Sequence, residues 1–297
     1  MLFRSGRCSF LAGATHVSPA PLKPFAQEHP LRFLIVHSHF RPGGVRRVIE
    51  LGAPALVGAL RPQVQQVVLV GGEPPDALWL GRLRKLLGRV PVKLEIEPAI
   101  NYLEEQRATP PRMVRRLRDC FDRVLAGPTA EDTIVWAHNQ GLGRNLLVTR
   151  ELARTCATRG VRLVLHHHDW WFDNRWLRWP EMRRAGFRTL AQVAETVFLS
   201  GANVRHVAIN QADAAILARH FPRLSAWIPN MAEPASPPPA ARVRRARRWL
   251  REQLGSAAPV WLIPCRLLRR KNVAEAVLLT RWLRPEAWLV TTGSVSS

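Results

Sequence analysis

The chain has 297 residues, 47% of them hydrophobic, and a formal net charge of +22 at pH 7. That length accommodates one large or two ordinary domains, and that apolar content excludes a disordered chain. The basic excess is arginine, since Lys23, Lys85, Lys93 and Lys271 are the only lysines among 44 basic residues. GC-rich codons favour Arg over Lys but do not explain the shortage of Asp and Glu. An anionic partner is therefore expected: phosphate, nucleic acid or an acidic membrane face. Cys8, Cys120, Cys156 and Cys265 contain no Cys-x-x-Cys pair. This argues against a thiolate zinc site and a disulfide framework, and for a reducing cytoplasm. No apolar run approaches the roughly 20 residues that span a bilayer.

Residues 1–30 read as a loose tail, with an apolar core too thin for a signal peptide. From Leu31 onward, short apolar runs alternate with helix-period segments. Strands are predicted at Arg32–His37, Val64–Val70, Val92–Ile96, Thr133–Ala137, Val161–Leu165 and Val204–Ile209. Helices are predicted near Val45–Leu60, Asp76–Leu87, Pro111–Leu125, Arg144–Ala157, Glu181–Leu199 and Ala212–Phe221. Such alternation implies an α/β fold, a parallel sheet covered by helices on both faces. Met231–Ala241 carries Pro234, Pro237, Pro238 and Pro239 and reads as a linker. The predicted domains are therefore 31–230 and 231–297. The second opens with a basic helix, Arg242–Leu254. A strand at Val260–Pro264, a basic loop, a helix and an apolar run at Trp288–Thr292 follow.

Several residues carry candidate chemistry. Gly43 and Gly44 lie between the first strand and the first helix, where backbone N–H groups and the helix N-terminus favour an anion. The same pair also suits a plain strand-to-helix turn. It is not Gly-x-Gly-x-x-Gly, which weighs against a nicotinamide dehydrogenase. His166, His167, His168 and Asp169 end the fifth strand, and His138 with Asn139 ends the fourth. In open α/β sheets the strand carboxyl ends face the ligand crevice. Histidine there can bond a substrate hydroxyl, move a proton, or simply pack. His166 and His168 share a face, but no third metal ligand is identifiable from the sequence, so no metal is expected. Trp170, Trp171, Phe172, Trp176 and Trp179 could stack on sugar or pack as a loop. Two basic amphipathic helices, with stripes Met113, Leu117, Phe121, Val124 and Val243, Ala246, Leu250, suit either anionic lipid or a solvated face over a core. Arg266 and Lys271, between strand and helix, suit a pyrophosphate or an exposed basic turn.

In order and spacing these pieces resemble the retaining glycosyltransferases of the GT-B fold, group-1 (family-4) type. The matching stretches are Phe33–Val36 with Gly43-Gly44-Val45; Ile134–Asn139; Leu163–Asp169; Val207–Asn210; Ile228-Pro229-Asn230; Cys265-Arg266-Leu267 with Lys271-Asn272; and Leu289–Gly293. The resemblance implies two Rossmann-like domains, the first binding a glycan or lipid-linked acceptor and the second a nucleotide sugar. It implies that Gly43 and Gly44 lie near the donor diphosphate and that His168 contacts the transferred sugar. His138, Asn139, Asp169 and Gly293 are further cleft candidates. Asn230 would sit at the interdomain crossing, and Arg266 and Lys271 would neutralise the leaving diphosphate, with no metal or cofactor.

The family also carries a Glu–seven residues–Glu motif later in its second domain. Here the last acidic residue is Glu286, so the second domain is expected to be truncated, with an unpaired sheet edge and exposed apolar surface. A cytoplasmic enzyme, peripheral at the inner membrane face, is the leading expectation. A non-catalytic scaffold of the same fold is the alternative. Nucleic-acid binding by the arginine excess is a third reading, without a reader motif.

Overall fold

The computed structural model describes residues 31–60, 64–127, 132–233, 236–265, 267 and 271–292. The side chains of residues 174–176 are not among those described. The expected tail at 1–30, and with it Arg266 and Gly293, lies outside the described residues. Contacts divide the chain into Met1–Glu233 and Pro234–Ser297.

The first unit is a doubly wound α/β domain. Its strands are β1 (Leu31–Val36), β2 (Val64–Gly71), β3 (Val92–Ile96), β4 (Thr133–His138), β5 (Arg162–His167), β6 (Val204–Ala208) and β7 (Ser225–Trp227). They form one sheet in the order β3-β2-β1-β4-β5-β6-β7, and every pairing is parallel. The order reverses between β1 and β4. In such sheets that switch point opens a crevice at the strand carboxyl ends. The helices are α1 (Gly44–Ala59), α2 (Ala77–Leu87), α3 (Pro110–Val124), α4 (Leu146–Thr158), α5 (Arg175–Arg184), α6 (Leu190–Val197) and α7 (Gln211–His220).

Side-chain alternation along the strands makes two cores. Phe33, Ile35, Ile134 and Trp136 pack with Ile49, Ala53, Trp79 and Leu83 of α1 and α2 on one face. Leu34, Val36, Val135, Leu163 and Leu165 pack with Met113, Leu117, Phe121, Leu152 and Val193 of α3, α4 and α6 on the other. Full burial of one such aliphatic or aromatic side chain contributes roughly 1.5–3 kcal/mol. The stripe of α3 is thus core, the second of the two readings that the sequence offered for that helix. Several of its arginines pair with acids: Arg116 with Glu97 and Arg118 with Glu151 at 2.8 and 2.7 Å, and Arg123 with Glu95.

Four elements differ from the sequence reading. β4 and β5 run further than predicted, through His138 and His167, because their ladders continue: His138 pairs with His166, and His167 with Ala208. The predicted helix at Glu181–Leu199 is two helices. Gly186, at φ 95°, ends the first. Thr189 opens the second with a capping box, its hydroxyl accepting from the Gln192 backbone N–H at 3.2 Å while the Gln192 side-chain oxygen Oε1 accepts from the Thr189 backbone N–H at 3.3 Å, the reciprocal pairing that starts a new helix. β7 is an edge strand of three residues, too short to show a periodic pattern.

The second unit contains α8 (Ala240–Leu254), β8 (Val260–Ile263), α9 (Val273–Leu283) and β9 (Trp288–Thr291). β8 and β9 pair in parallel, Val260 opposite Trp288. This is one β-α-β unit. Leu278 and Trp282 of α9 are 70% and 80% exposed and Leu262 of β8 is 57% exposed. α8 has no buried residue, so nothing described covers its apolar side.

Candidate active site

The site forms where β1, β4 and β5 end. His37 directly follows β1, His138 ends β4, and His166 and His168 lie two apart at the end of β5. Period-2 alternation points them to the face that carries α1 and α2. The register sets His138 beside His166. Their ring centroids are 5.2 Å apart, and His166 and His168 are 4.7 Å apart. His138 Nδ1 lies 3.1 Å from His168 Nε2. Beneath them Trp136 stacks on His166 at 5.7 Å, and Phe33 stacks on Trp136 at 5.8 Å. An aromatic ladder thus rises from the core to the strand ends and stops in imidazoles.

His167 points the other way. It pairs with His206 at 3.0 Å, whose other nitrogen meets the Leu199 carbonyl at 2.8 Å. That pair belongs to packing on the opposite face.

Burial keeps the histidine cluster uncharged. Burial pushes the His168 imidazolium down to about 3, with help from His166 and His37. Burial holds His166 at about 4, and His37 at about 3, the latter aided by His39. His138 is pushed well below the ordinary histidine value by burial and then by His166, His168 and His37. Desolvation penalises the charged form, so these rings are neutral near pH 7. A neutral imidazole offers one N–H donor and one lone pair.

Asn139 and Asp169 clamp the two strand ends. The Asn139 backbone N–H donates to the His166 carbonyl at 2.8 Å. Its side-chain oxygen accepts from the Asp169 backbone N–H at 3.0 Å, and its amide donates to the Asp169 carboxylate at 3.3 Å. Asn139 holds φ 59°, a left-handed conformation that Asn tolerates. Beside this clamp is a recess of about 10 Å³ lined by His37, Ser38, Tyr102, Asn139, Gln140 and Arg144, among others. It has room for about one water.

Gly43 and Gly44 are exposed just after β1, at the same carboxyl end of the sheet. Gly43 caps α1 with extended backbone and no side-chain cap. A Cβ on Gly44 would meet nothing within 4 Å. The helix N-terminus is therefore open, with its first N–H groups free of a side-chain cap and no acid in its first turn. That is the condition for anion binding. The nearby cations are mostly spoken for. Arg41 binds Glu73 at 2.6 Å and Glu105 at 2.8 Å, and Arg47 binds Glu50 at 3.0 Å.

The first two aromatics after β5 are structural. Trp170 and Trp171 are buried, and the Trp170 indole N–H donates to Asp213 at 2.9 Å. Phe172 is exposed and Trp179 half-buried. Asn230 is exposed near the end of the first unit. In the second unit Lys271 is exposed just before α9.

The sequence reading named His138, Asn139, His168 and Asp169, and the fold brings all four together. It passed over His37 and His39. Both sit where the strand-end rule applied to His138 also applies, so the signal was present. It also missed Tyr102 and Arg144, whose guanidinium lies 4.3 Å over the tyrosine ring. Those two come from connecting segments, where no periodic pattern points to them.

No family model matches the chain. It is 24% identical over 265 residues to a mannosylglucosyl-3-phosphoglycerate synthase from Petrotoga mobilis, over 86% of this chain and 49% of that protein. The chain thus spans about half the length of this curated relative. Among solved structures, the N-terminal domain of trehalose-6-phosphate phosphatase from Candida albicans superposes with a TM-score of 0.50 at 8% identity, over 94% of this chain and 67% of that one. A UDP-GlcNAc 2-epimerase from Neisseria meningitidis, bound to UDP-GlcNAc, has a TM-score of 0.47 at 11% identity, over 90% and 67%. The class defined by the fold is an α/β protein with a Rossmann-type first unit. In sequence it is similar to a sugar-transferring synthase. Among the described residues no helix is long and apolar enough to cross a membrane.

Proposed function

We propose that the chain belongs to a GT-B glycosyltransferase of the family-4 type. It transfers a sugar from a nucleotide-diphosphate donor to a glycan, lipid or similar acceptor, with retention of configuration. One observation carries the reading: a neutral, half-buried His168 at the open end of β5, at the same sheet end as the bare N-terminus of α1. A neutral imidazole can hydrogen-bond a sugar hydroxyl without repelling the developing positive charge at the anomeric carbon. A helix N-terminus can hold a phosphate. The similarity to the Petrotoga mobilis synthase supports the same class of chemistry.

In this reading His168 contacts the transferred sugar, Gly43 and Gly44 approach the donor diphosphate, and His138 sets the His168 ring. Asn139 and Asp169 hold the strand ends, and Asn230 ends the acceptor domain. Arg266, Lys271 and Gly293 belong to the nucleotide-sugar domain, where the two cations stabilise the leaving diphosphate. Transfer needs no ion. The exposed arginines of α8 (Arg244, Arg245, Arg247, Arg248) suit an anionic membrane surface, and absence of salt-sensitive binding to phosphatidylserine vesicles would remove that part. The whole reading is tested by assaying transfer and hydrolysis with a panel of nucleotide sugars, and nucleotide binding by calorimetry. Neither binding nor turnover with any donor would sink it.

A further inference from the structure

One ring nitrogen from each of His138, His166 and His168 lies within 4.8 Å of the others. The placement follows from sheet geometry. His138 and His166 are register partners on adjacent strands, and His168 follows His166 on the same face. A tetrahedral ion bound at 2.0–2.1 Å needs its nitrogen ligands roughly 3.4 Å apart. The His138–His168 pair, at 3.1 Å, already meets that spacing. The other separations are no more than 4.8 Å, so ligation requires a small torsion of the side chains.

A second observation points the same way. Both ring nitrogens of His166, which is 0% exposed, are buried without a hydrogen-bond partner among the described residues. The Ile228 backbone lies close enough to take up one of them, which leaves the other for a ligand. A buried polar atom left unpaired costs about 1–3 kcal/mol. Asp169 is engaged by Asn139. The donor set is thus three neutral imidazoles, which favours zinc-like ions over magnesium or calcium.

We propose that His138, His166 and His168 form a three-histidine site for a divalent transition-metal ion of the zinc class, with a fourth position left to solvent. The inference goes beyond the sugar-transfer reading, because ion capture needs no donor. In that reading the ion is an antagonist of transfer, since His168 serves either ligand but not both.

The test uses the untagged full chain, stripped with chelator and titrated with Co²⁺. One equivalent is expected to give the visible bands of a four-coordinate cobalt centre, and Zn²⁺ is expected to abolish them. His138→Gln and His166→Ala, checked for folding by circular dichroism, are expected to weaken binding at least 100-fold. His220→Gln, an exposed histidine of α7, is expected to change nothing. Lack of a visible band or of one-equivalent Zn²⁺ binding in the wild type overturns the proposal, whatever the variants do. So does undiminished binding in a folded His138→Gln. Donor assays play no part, so failure of the transfer reading leaves this result standing.

Discussion

His138 Nδ1 lies 3.1 Å from His168 Nε2, although the two are 30 residues apart in the chain. One of the pair must donate and the other accept, so the contact orders two tautomers at once. His168 is therefore held by its neighbour as well as by its own strand. In the transfer reading, His168→Gln is expected to lower kcat/KM at least about tenfold, or ~1.4 kcal/mol, with an unchanged far-UV spectrum. Unaltered kinetics with a responsive donor would exclude a sugar contact by this ring.

The histidine cluster also makes stability depend on pH. The folded values of His37, His166 and His168 are depressed to about 3, 4 and 3, against an ordinary value of 6.5. Between roughly pH 6.5 and these folded values the unfolded chain binds more protons than the native one. Stability is then full above about pH 6.5 and falls as pH drops toward 4. Urea titrations at steps from pH 7.5 to 4.5 are expected to show a falling midpoint. A flat profile across that range would mean that the rings are not buried neutral.

Two glycines of one helix should behave oppositely. A Cβ at Gly44 meets open space, but at Gly52 it would come within 3.0 Å of the Trp136 ring and 2.6 Å of the Met231 methyl. Trp136 stacks on His166, so the disturbance reaches the site. Gly52→Ala is expected to cost about 1–3 kcal/mol, as overpacking does. Gly44→Ala is expected to leave thermal stability unchanged while weakening diphosphate binding. Equal melting temperatures for the two variants would contradict this packing.

Glu151 joins α3 to α4. Its side chain is 1% exposed and lies 2.7 Å from Arg118, 2.9 Å from Arg150 and 3.7 Å from Arg154. Burial opposes its charge, but the Arg118 and Arg150 hydrogen bonds hold its carboxyl below the usual range. The arginines are about half exposed, so water weakens the attraction. Glu151→Gln is expected to cost about 1–2 kcal/mol in urea unfolding. A change within a few tenths of a kcal/mol would show that the carboxylate charge is not needed.

Much of the fold was legible because most core strands are apolar stretches rich in Val, Leu and Ile, bounded by turn residues. Those runs reflect burial on both sheet faces, a local requirement that leaves a local trace. β7 was not legible, since three residues, two of them exposed, carry no period. The split between α5 and α6 was also hidden: one glycine inside a helical pattern reads as tolerable until its φ is known. The same limit applied to the tryptophans. In sequence Trp170 and Trp171 suit either stacking or packing, and their burial assigns them to packing.

By itself the sequence determined the alternation of strands and helices, the histidines at two strand ends and the uncapped glycines before α1. These are properties of neighbours along the chain. Only the tertiary structure decided that His138 stands beside His166, that His167 faces away, and that a third imidazole completes the cluster. Register and pleat fix which side chains share a face, and a shift of one residue would reverse them all. The fold also decided which arginines are paired: Arg41, Arg47 and Arg118 find carboxylates far from them in sequence or just along a helix.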